Sequence, residues 1–379
     1  MDKLNTSVAL NFCYLSLVIL NVLNYAFPIP ISVQLFVSSM ACIYIGSRRG
    51  IILKEKLSVE ERRRSAENMT VRDAYLFPIY GSVVLVGLYV IYVFIGRNLL
   101  NVVLSFHFTV FGFLSLIQVI CYHLEKLFPE WEKVHIFKNS YDLDLGFYTR
   151  TFNISINKCE LFAGILVIPP TIGYFLTKNW LLNNIFGISF SICGIESLVL
   201  STFQTGFILL FGLLIYDVFW VFETEIMVTV AKSVDAPIKL LFPLDLYEPE
   251  PEFSMLGLGD IVIPGIFIAL CLKYDVDKAL VEFMKQGIKE FEYEMISTPY
   301  FYWCLVGYAI GILLTFKALL FFDRAQPALL FLVPCCCLSV ILCALKHGEL
   351  KKIFEYSEEQ VRQYMGYATV DHGRDRDRL

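Results

Sequence analysis

Ten runs of mostly apolar residues, 18 to 23 long, divide this chain of 379 residues: 8–27, 29–46, 75–96, 99–120, 160–177, 181–200, 203–222, 256–273, 299–321 and 326–346. A helix needs about 20 such residues to cross a hydrocarbon core of about 30 Å, and a slightly shorter run spans where the bilayer thins or flanking side chains snorkel. Helix is the expected state of each run, because an isolated strand in lipid leaves its backbone groups unpaired. Hydrophobic residues make up 57% of the chain and charged residues 18%, whereas a soluble domain is about 45 to 50% apolar. The sequence therefore reads as an all-α polytopic membrane protein.

The charges lie between the runs, and their placement sets the orientation. Of the 31 Lys and Arg residues, 24 fall in 48–74, 121–158, 273–298 and 346–379, including the cluster Arg62, Arg63, Arg64 and the trio Lys278, Lys285, Lys289. By the positive-inside rule these connectors and the C-terminus face the cytosol. The long connector 223–255 then faces the lumen; it carries Glu223, Glu225, Asp235, Asp245, Glu248, Glu250 and Glu252 against Lys232 and Lys239. Residues 8–27 fit three states: a further span, a cleaved signal peptide, or a hairpin partner of 29–46 joined at Pro28 and Pro30. On this reading Asn68-Met69-Thr70 and Asn153-Ile154-Ser155 are cytosolic and stay unglycosylated.

Four regions follow: 1–74, apolar segments and a basic cytosolic loop; 75–200, an N-terminal helix bundle; 201–346, a second bundle that carries the chemistry below; and 347–379, a cytosolic tail. The net charge of −5 and the lack of a basic stripe give no support for nucleic-acid binding. Eleven cysteines, Cys335-Cys336-Cys337 among them, mostly sit inside apolar runs and read as small core fillers. With no Cys-x-x-Cys and no His-Glu-x-x-His, neither a metal site nor a zinc protease is indicated.

Two acids break the pattern. "LLIYDVFWVF" (213–222) places Asp217 inside an apolar, aromatic run, and "MLGLGDIVIPG" (255–265) places Asp260 near the start of the next one. An acid at the centre of a bilayer costs about 2.5 to 3.5 kcal/mol on insertion scales, so it is kept for a function. The two runs are antiparallel and meet at the lumenal side. At about 1.5 Å per residue, Asp217 lies about 7.5 Å below the end of its run and Asp260 about 6 Å below its own. Carboxylates at matched depth can share one proton, one activating water while the other donates to a scissile carbonyl. Proton relays and cation paths also use membrane acids, so from the pair alone a protease and a transporter stay equally open.

Two neighbouring features bear on that choice. Gly257 and Gly259 permit an irregular backbone or close helix packing before Asp260. "AQPALLFLVP" (325–334) carries Pro327, which disfavours helix at Gln326 and predicts a non-helical lead-in whose peptide groups could pair with an extended strand; a proline at the first helical position is the plainer alternative.

Tyr216-Asp217, Gly257-Leu258-Gly259-Asp260 and Pro327-Ala328-Leu329, in that order on late runs, resemble the three signatures of the presenilin-type intramembrane aspartyl proteases. "IMVTVAKS" (226–233), "APIKLLFP" (236–243), "GLGDIVIPGIFIAL" and "QPALLFLVP" are similar to the signal peptide peptidase branch more than to its like-named branches or to presenilin, over about Arg72 to Phe354. The resemblance implies a nine-helix bundle around a water-accessible cavity, with 8–27 as an additional apolar segment. It implies endopeptidase activity on membrane-spanning peptides within the lipid bilayer, chiefly remnant signal peptides and type II membrane proteins, without metal or organic cofactor. It carries catalysis to Asp217 and Asp260, orientation of the first acid to the Tyr216 hydroxyl, and backbone shaping and substrate contact to Gly257, Leu258, Gly259, Gln326, Pro327, Ala328 and Leu329. Residence in the endoplasmic reticulum follows from the branch, although the terminus "DHGRDRDRL" lacks a dilysine-type signal. A homo-oligomer, degradation-pathway partners, a presenilin-like protease and a non-proteolytic scaffold for membrane proteins are the alternatives left open.

Overall fold

The computed structural model describes residues 2–23, 29–56, 69–144, 149–224, 226–233, 236–244, 252–286, 296–322, 326–358 and 360–361. Arg62 to Arg64, Asn68, Glu225, Asp235, Asp245, Glu248, Glu250, Lys289 and the terminal DHGRDRDRL lie outside these residues.

All ten apolar runs are helical over most of their length. In chain order the elements are α1 (Asp2–Leu23), α2 (Ile31–Lys56), α3 (Val71–Ile95), α4 (Arg97–Leu127), α5 (Pro129–Glu132), β1 (His135–Asp144), β2 (Thr149–Asn157), α6 (Lys158–Thr177), α7 (Trp180–Ser197), α8 (Phe203–Phe222), α9 (Ile226–Ser233), β3 (Lys239–Pro243), β4 (Phe253–Gly257), α10 (Gly259–Lys285), α11 (Pro299–Phe322), α12 (Leu329–His347) and α13 (Leu350–Glu355). The fold is thus an all-α polytopic bundle; among the described residues it has nine long helices after α1 and two antiparallel two-stranded sheets, β1–β2 and β3–β4.

Local chemistry sets the boundaries. Thr70 and Asp73 form a reciprocal capping box at the start of α3, and Asn157 and Glu160 form another at α6, each satisfying amides that the first helical turn leaves unpaired. Gly96 alone separates α3 from α4; its φ of 90° is a conformation that glycine adopts without steric cost, and it lets the chain reverse there.

Polarity sorts the helices into shells. Seven of them (α2, α3, α4, α6, α8, α11 and α12) contain stretches long and apolar enough to cross a bilayer. The outer helices α3, α4 and α6 leave large apolar side chains exposed, among them Phe94, Val83, Phe106 and Ile165, as lipid-facing surfaces do. The remaining two, α7 and α10, carry the polar residues and pack inside: Asn183, Asn184, Glu196, Asp275 and Asp277 are all buried. One core cluster joins α1, α2, α7, α8, β3, β4, α10, α11 and α12.

The N-terminal run pairs with its neighbour. Leu10 and Leu17 of α1 enter the main core, and the Tyr14 hydroxyl accepts a hydrogen bond from the Arg49 guanidinium of α2 at 3.1 Å. Arg49 itself pairs with Glu196 of α7 at 3.1 Å. α1 thus packs beside α2, while residues 24–28 between them, Pro28 included, lie outside the described residues.

At the far end of α10 a second polar clamp holds α11, α12 and α13. The buried Asp275 accepts the amide of Phe301 at 3.0 Å, capping the start of α11 from a neighbouring helix. Glu349, just past α12, accepts from Lys278 at 2.7 Å, Tyr300 at 3.1 Å and Lys352 at 3.3 Å. Burial pushes the Glu349 carboxyl up, but the bonds from Lys278, Lys352 and Tyr300 outweigh it and hold the group below its ordinary value of 4.5. A carboxylate held down in the folded state adds stability that is complete above the ordinary value and is lost as pH falls through the folded one. Glu349→Gln is therefore expected to lower the unfolding temperature of the detergent-solubilised protein at pH 7, with the gap from wild type closing below about pH 4. A gap that persists undiminished well below about pH 4 would show that the Glu349 carboxylate is not what holds the clamp.

Candidate active site

Asp217 lies on α8 five residues before its end, about 7.5 Å down the helix at about 1.5 Å per residue. It is 6% exposed, on a helix that also buries Leu210, Leu213 and Trp220, and it meets the first turn of α12. Asp260 is the second residue of α10 and is partly buried. α8 and α10 pack against each other here, and Asp217 stands close enough for its charge to act on Asp260. α12 completes the site from a third side: the backbone N–H of Leu329 donates to the Asp217 Oδ2 at 3.4 Å. That amide opens the helix and has no partner within it, so the carboxylate satisfies a donor that the helix geometry leaves free. Pro327, Ala328 and Leu329 are all buried, Gln326 partly so, and helix begins only at Leu329, as the proline predicts.

The second acid arrives differently from the expectation of a helix over 256–273. Residues 253–257 are strand β4, and α10 starts at Gly259, so Asp260 stands in the first turn at the mouth of its helix and not about 6 Å inside it. The strand exists because β3 holds it. Lys239 to Pro243 pair antiparallel with Gly257 to Phe253, and two asparagines of α7 fix β3 in turn. Asn184 accepts from the Leu241 N–H and donates to the Leu241 carbonyl, both at 2.8 Å, while Asn183 donates to the Lys239 carbonyl at 2.8 Å.

Those bonds also settle which edge of the sheet is free. Leu241 turns both its backbone groups to Asn184, so its cross-strand neighbour Met255 is a non-hydrogen-bonded partner and points its own N–H and C=O away from β3. The bonds Leu258 N–H to Ile238 and Leu244 N–H to Glu252 have the same parity. Beside Asp260, therefore, this edge of β4 has no backbone partner among the described residues, and Met255 upon it is 46% exposed.

The glycines of the motif have separable jobs. A Cβ added at Gly257 would sit 3.2 Å from the Asp260 Oδ2, whereas one added at Gly259 would meet nothing within 4 Å. Leu258, between them, packs towards Gly187 of α7 and donates its N–H to Ile238. Tyr216 packs sideways: its ring lies against Gly81 of α3, 3.5 Å from where a Cβ would be, and 6.3 Å from the ring of Trp220. Trp220 donates to the Ser82 hydroxyl on α3 at 3.1 Å. Among the described residues the Tyr216 hydroxyl makes no hydrogen bond to Asp217, in place of the orienting role that the resemblance implied; the donor found there is Leu329.

Comparison with known proteins bears on what such a site does. The family model described as signal peptide peptidase matches residues 61–360. The signal peptide peptidase of Mus musculus is 39% identical over 329 residues, 86% of this chain and 82% of the relative; that of Homo sapiens is 41% identical over 296 residues, 77% and 74%. Intramembrane protease 2 of Caenorhabditis elegans is 43% identical over 216 residues, 55% of this chain and 45% of that protein.

The chain belongs to the signal peptide peptidase family.

Membership makes it a multi-pass membrane protein of a protease family. The family match runs from before α3 to after α13 and so contains Asp217, β3, β4, Asp260 and Leu329. What sequence reasoning missed in this signal peptide peptidase family member is the sheet. β3 and β4 span five residues each, too short for a periodic signal, and Asn183 and Asn184 read as ordinary polar interruptions of an apolar run.

Gly257→Ala is expected to lower proteolytic kcat by about ten- to a hundredfold by displacing the Asp260 carboxylate, since a misplacement near 1 Å costs up to about that much. Gly259→Ala should retain more activity than Gly257→Ala, and both should unfold at wild-type temperature. Kinetics on the purified variants decide it; equal losses, or the reverse order, would show that the space around Asp260 is not what Gly257 protects.

Proposed function

We propose that this chain is an intramembrane aspartyl endopeptidase in which Asp217 and Asp260 share one proton, activate a water molecule and cleave a peptide bond of a membrane-spanning segment. The observation that carries the reading is the buried Asp217 carboxylate, met by the Leu329 amide from one side and within electrostatic reach of Asp260 from another. One carboxylate takes a proton from water as the water attacks the carbonyl carbon, while the other, protonated, donates its proton to the carbonyl oxygen; when the intermediate collapses, the first gives the water's proton to the leaving amine as the C–N bond breaks and the second takes its own proton back from the oxygen. Such a pair titrates as a unit, so neither acid is assigned a fixed role at rest. A transporter would need a path for ions; the family match favours the protease instead.

A helical substrate shields its peptide bonds, so it has to be drawn out before it can react. The open edge of β4 suits that step: an extended stretch of substrate adds as a third strand to β3–β4, its backbone pairing with Met255, and its next residues run towards Asp260. This moves the expected pairing surface from the Gln326–Ala328 lead-in to β4, and leaves the lead-in as the support for Asp217.

The substrate class is membrane segments of type II orientation, remnant signal peptides above all, which fits the printed names of the mouse and human relatives. The orientation is that set by the Lys and Arg residues, with the C-terminus cytosolic, in the endoplasmic reticulum membrane.

The test is cleavage of a labelled signal-peptide substrate by the purified full-length protein beside Asp217→Ala and Asp260→Ala. Wild type should yield a product cut within the apolar segment, and each variant should lose about a thousandfold or more of that rate. Product from either variant at the wild-type rate overturns the mechanism; peptide retained by all three without product would make the site a binding cavity.

A further inference from the structure

Pro264 sits one helical turn after Asp260, inside α10. In an α-helix the carbonyl of residue i accepts from the N–H of residue i+4, and proline has none; its ring also crowds that carbonyl and tilts it away from the helix axis. The carbonyl so affected is that of Asp260. Asp260 is partly buried, and an acceptor withdrawn from water without a partner is costly.

The partner comes from α11. Tyr308 is 0% exposed, and its hydroxyl donates to the Asp260 carbonyl oxygen at 3.4 Å. Ser39 of α2, whose own hydroxyl donates to the Phe36 carbonyl at 3.0 Å, stands near the same hydroxyl, so that three helices meet close to this one peptide group. Phenylalanine would fill the same core volume, and a hydroxyl buried this deeply is normally held by a partner.

The position of Tyr308 is fixed by tight packing. A Cβ at Gly307 would fall 2.6 Å from the Ser339 hydroxyl and 2.7 Å from the Cys335 carbonyl oxygen, and one at Gly311 would fall 3.0 Å from the Leu332 Cα. These small residues let α11 and α12 approach closely, as in membrane bundles generally. α12 is also the helix whose first amide meets Asp217. The α11–α12 pair thus holds one acid through the Leu329 N–H and the backbone of the other through the Tyr308 hydroxyl.

We propose that Tyr308 is a positioning residue for the reaction: its hydroxyl replaces the hydrogen bond that Pro264 removes, and so fixes the peptide of Asp260 and the direction of its carboxylate towards Asp217. The proposal rests on the reading of Asp260 as catalytic. Pro264 leaves the first turn of α10 one backbone hydrogen bond short, and the hydroxyl of Tyr308 keeps that turn in one orientation.

The experiment is a double-mutant cycle on the purified full-length protein with a labelled signal-peptide substrate, reading kcat, KM and the unfolding temperature. Tyr308→Phe should lower kcat at least tenfold with KM within twofold of wild type and little change in unfolding temperature. Pro264→Ala restores an N–H to the turn, so Tyr308→Phe in that background should cost less than threefold. A Tyr308→Phe protein that keeps kcat within twofold of wild type overturns the proposal, as does an equal loss in both backgrounds, which would mark the hydroxyl as packing support alone. Asp260→Ala, run alongside, separates the two levels. An active Asp260→Ala removes the catalytic reading itself, whereas an inert Asp260→Ala beside a fully active Tyr308→Phe removes only the role of Tyr308.

Discussion

A carboxylate 6% exposed within an apolar helix bundle has to be met by donors, and the one that meets Asp217 is a backbone amide, not a side chain. That choice organises the molecule. The Leu329 amide is free only because α12 begins there, α12 begins there because Pro327 disfavours helix before it, and α12 reaches Asp217 only because Gly307 and Gly311 let it pack closely on α11. On the other side, Pro78 and Gly81 of α3 pack on Gly212 and Tyr216 of α8, and Ser82 accepts from Trp220, so the helix carrying Asp217 is held along its length. Among the buried polar groups of this bundle are those of the candidate site and of the two clamps around Arg49 and Glu349.

The second acid depends on a different device. Asp260 is delivered by a strand, and that strand by β3, which is itself bonded to Asn183 and Asn184. The backbone of β4 is left half-paired where it leads into Asp260. Irregular backbone at membrane depth is tolerated where protein or water satisfies it, and an unpaired edge in such a place is suited to receive another strand. In the proposed function the protein thus spends regular helix on structure and reserves broken backbone, at 253–258 and 326–328, for the chemistry.

The sequence revealed the helices well, because spans of about 20 apolar residues are dictated by bilayer thickness and need no tertiary information. The two acids were legible for the same reason: a charge in such a run stands out. The break before Leu329 followed from Pro327. The start of α10 did not follow, because Met255 and Leu256 continue the apolar composition into β4; only pairing with β3 makes them strand. Tyr216 illustrates the other limit: the resemblance implied that its hydroxyl orients Asp217, yet neighbouring residues on a helix point about 100° apart, and its ring goes to Gly81.

The central claim is that both acids act on a single reacting centre, and its most direct test is the binding of a peptide mimic that carries a secondary hydroxyl in place of the scissile carbonyl. The account predicts that the mimic binds the wild-type protein, that Asp217→Asn and Asp260→Asn each weaken it at least tenfold, and that the matching peptide with a plain methylene loses nothing in either variant. Unchanged affinity for the hydroxyl mimic in one of the two variants would place that acid outside the reacting centre and contradict the account.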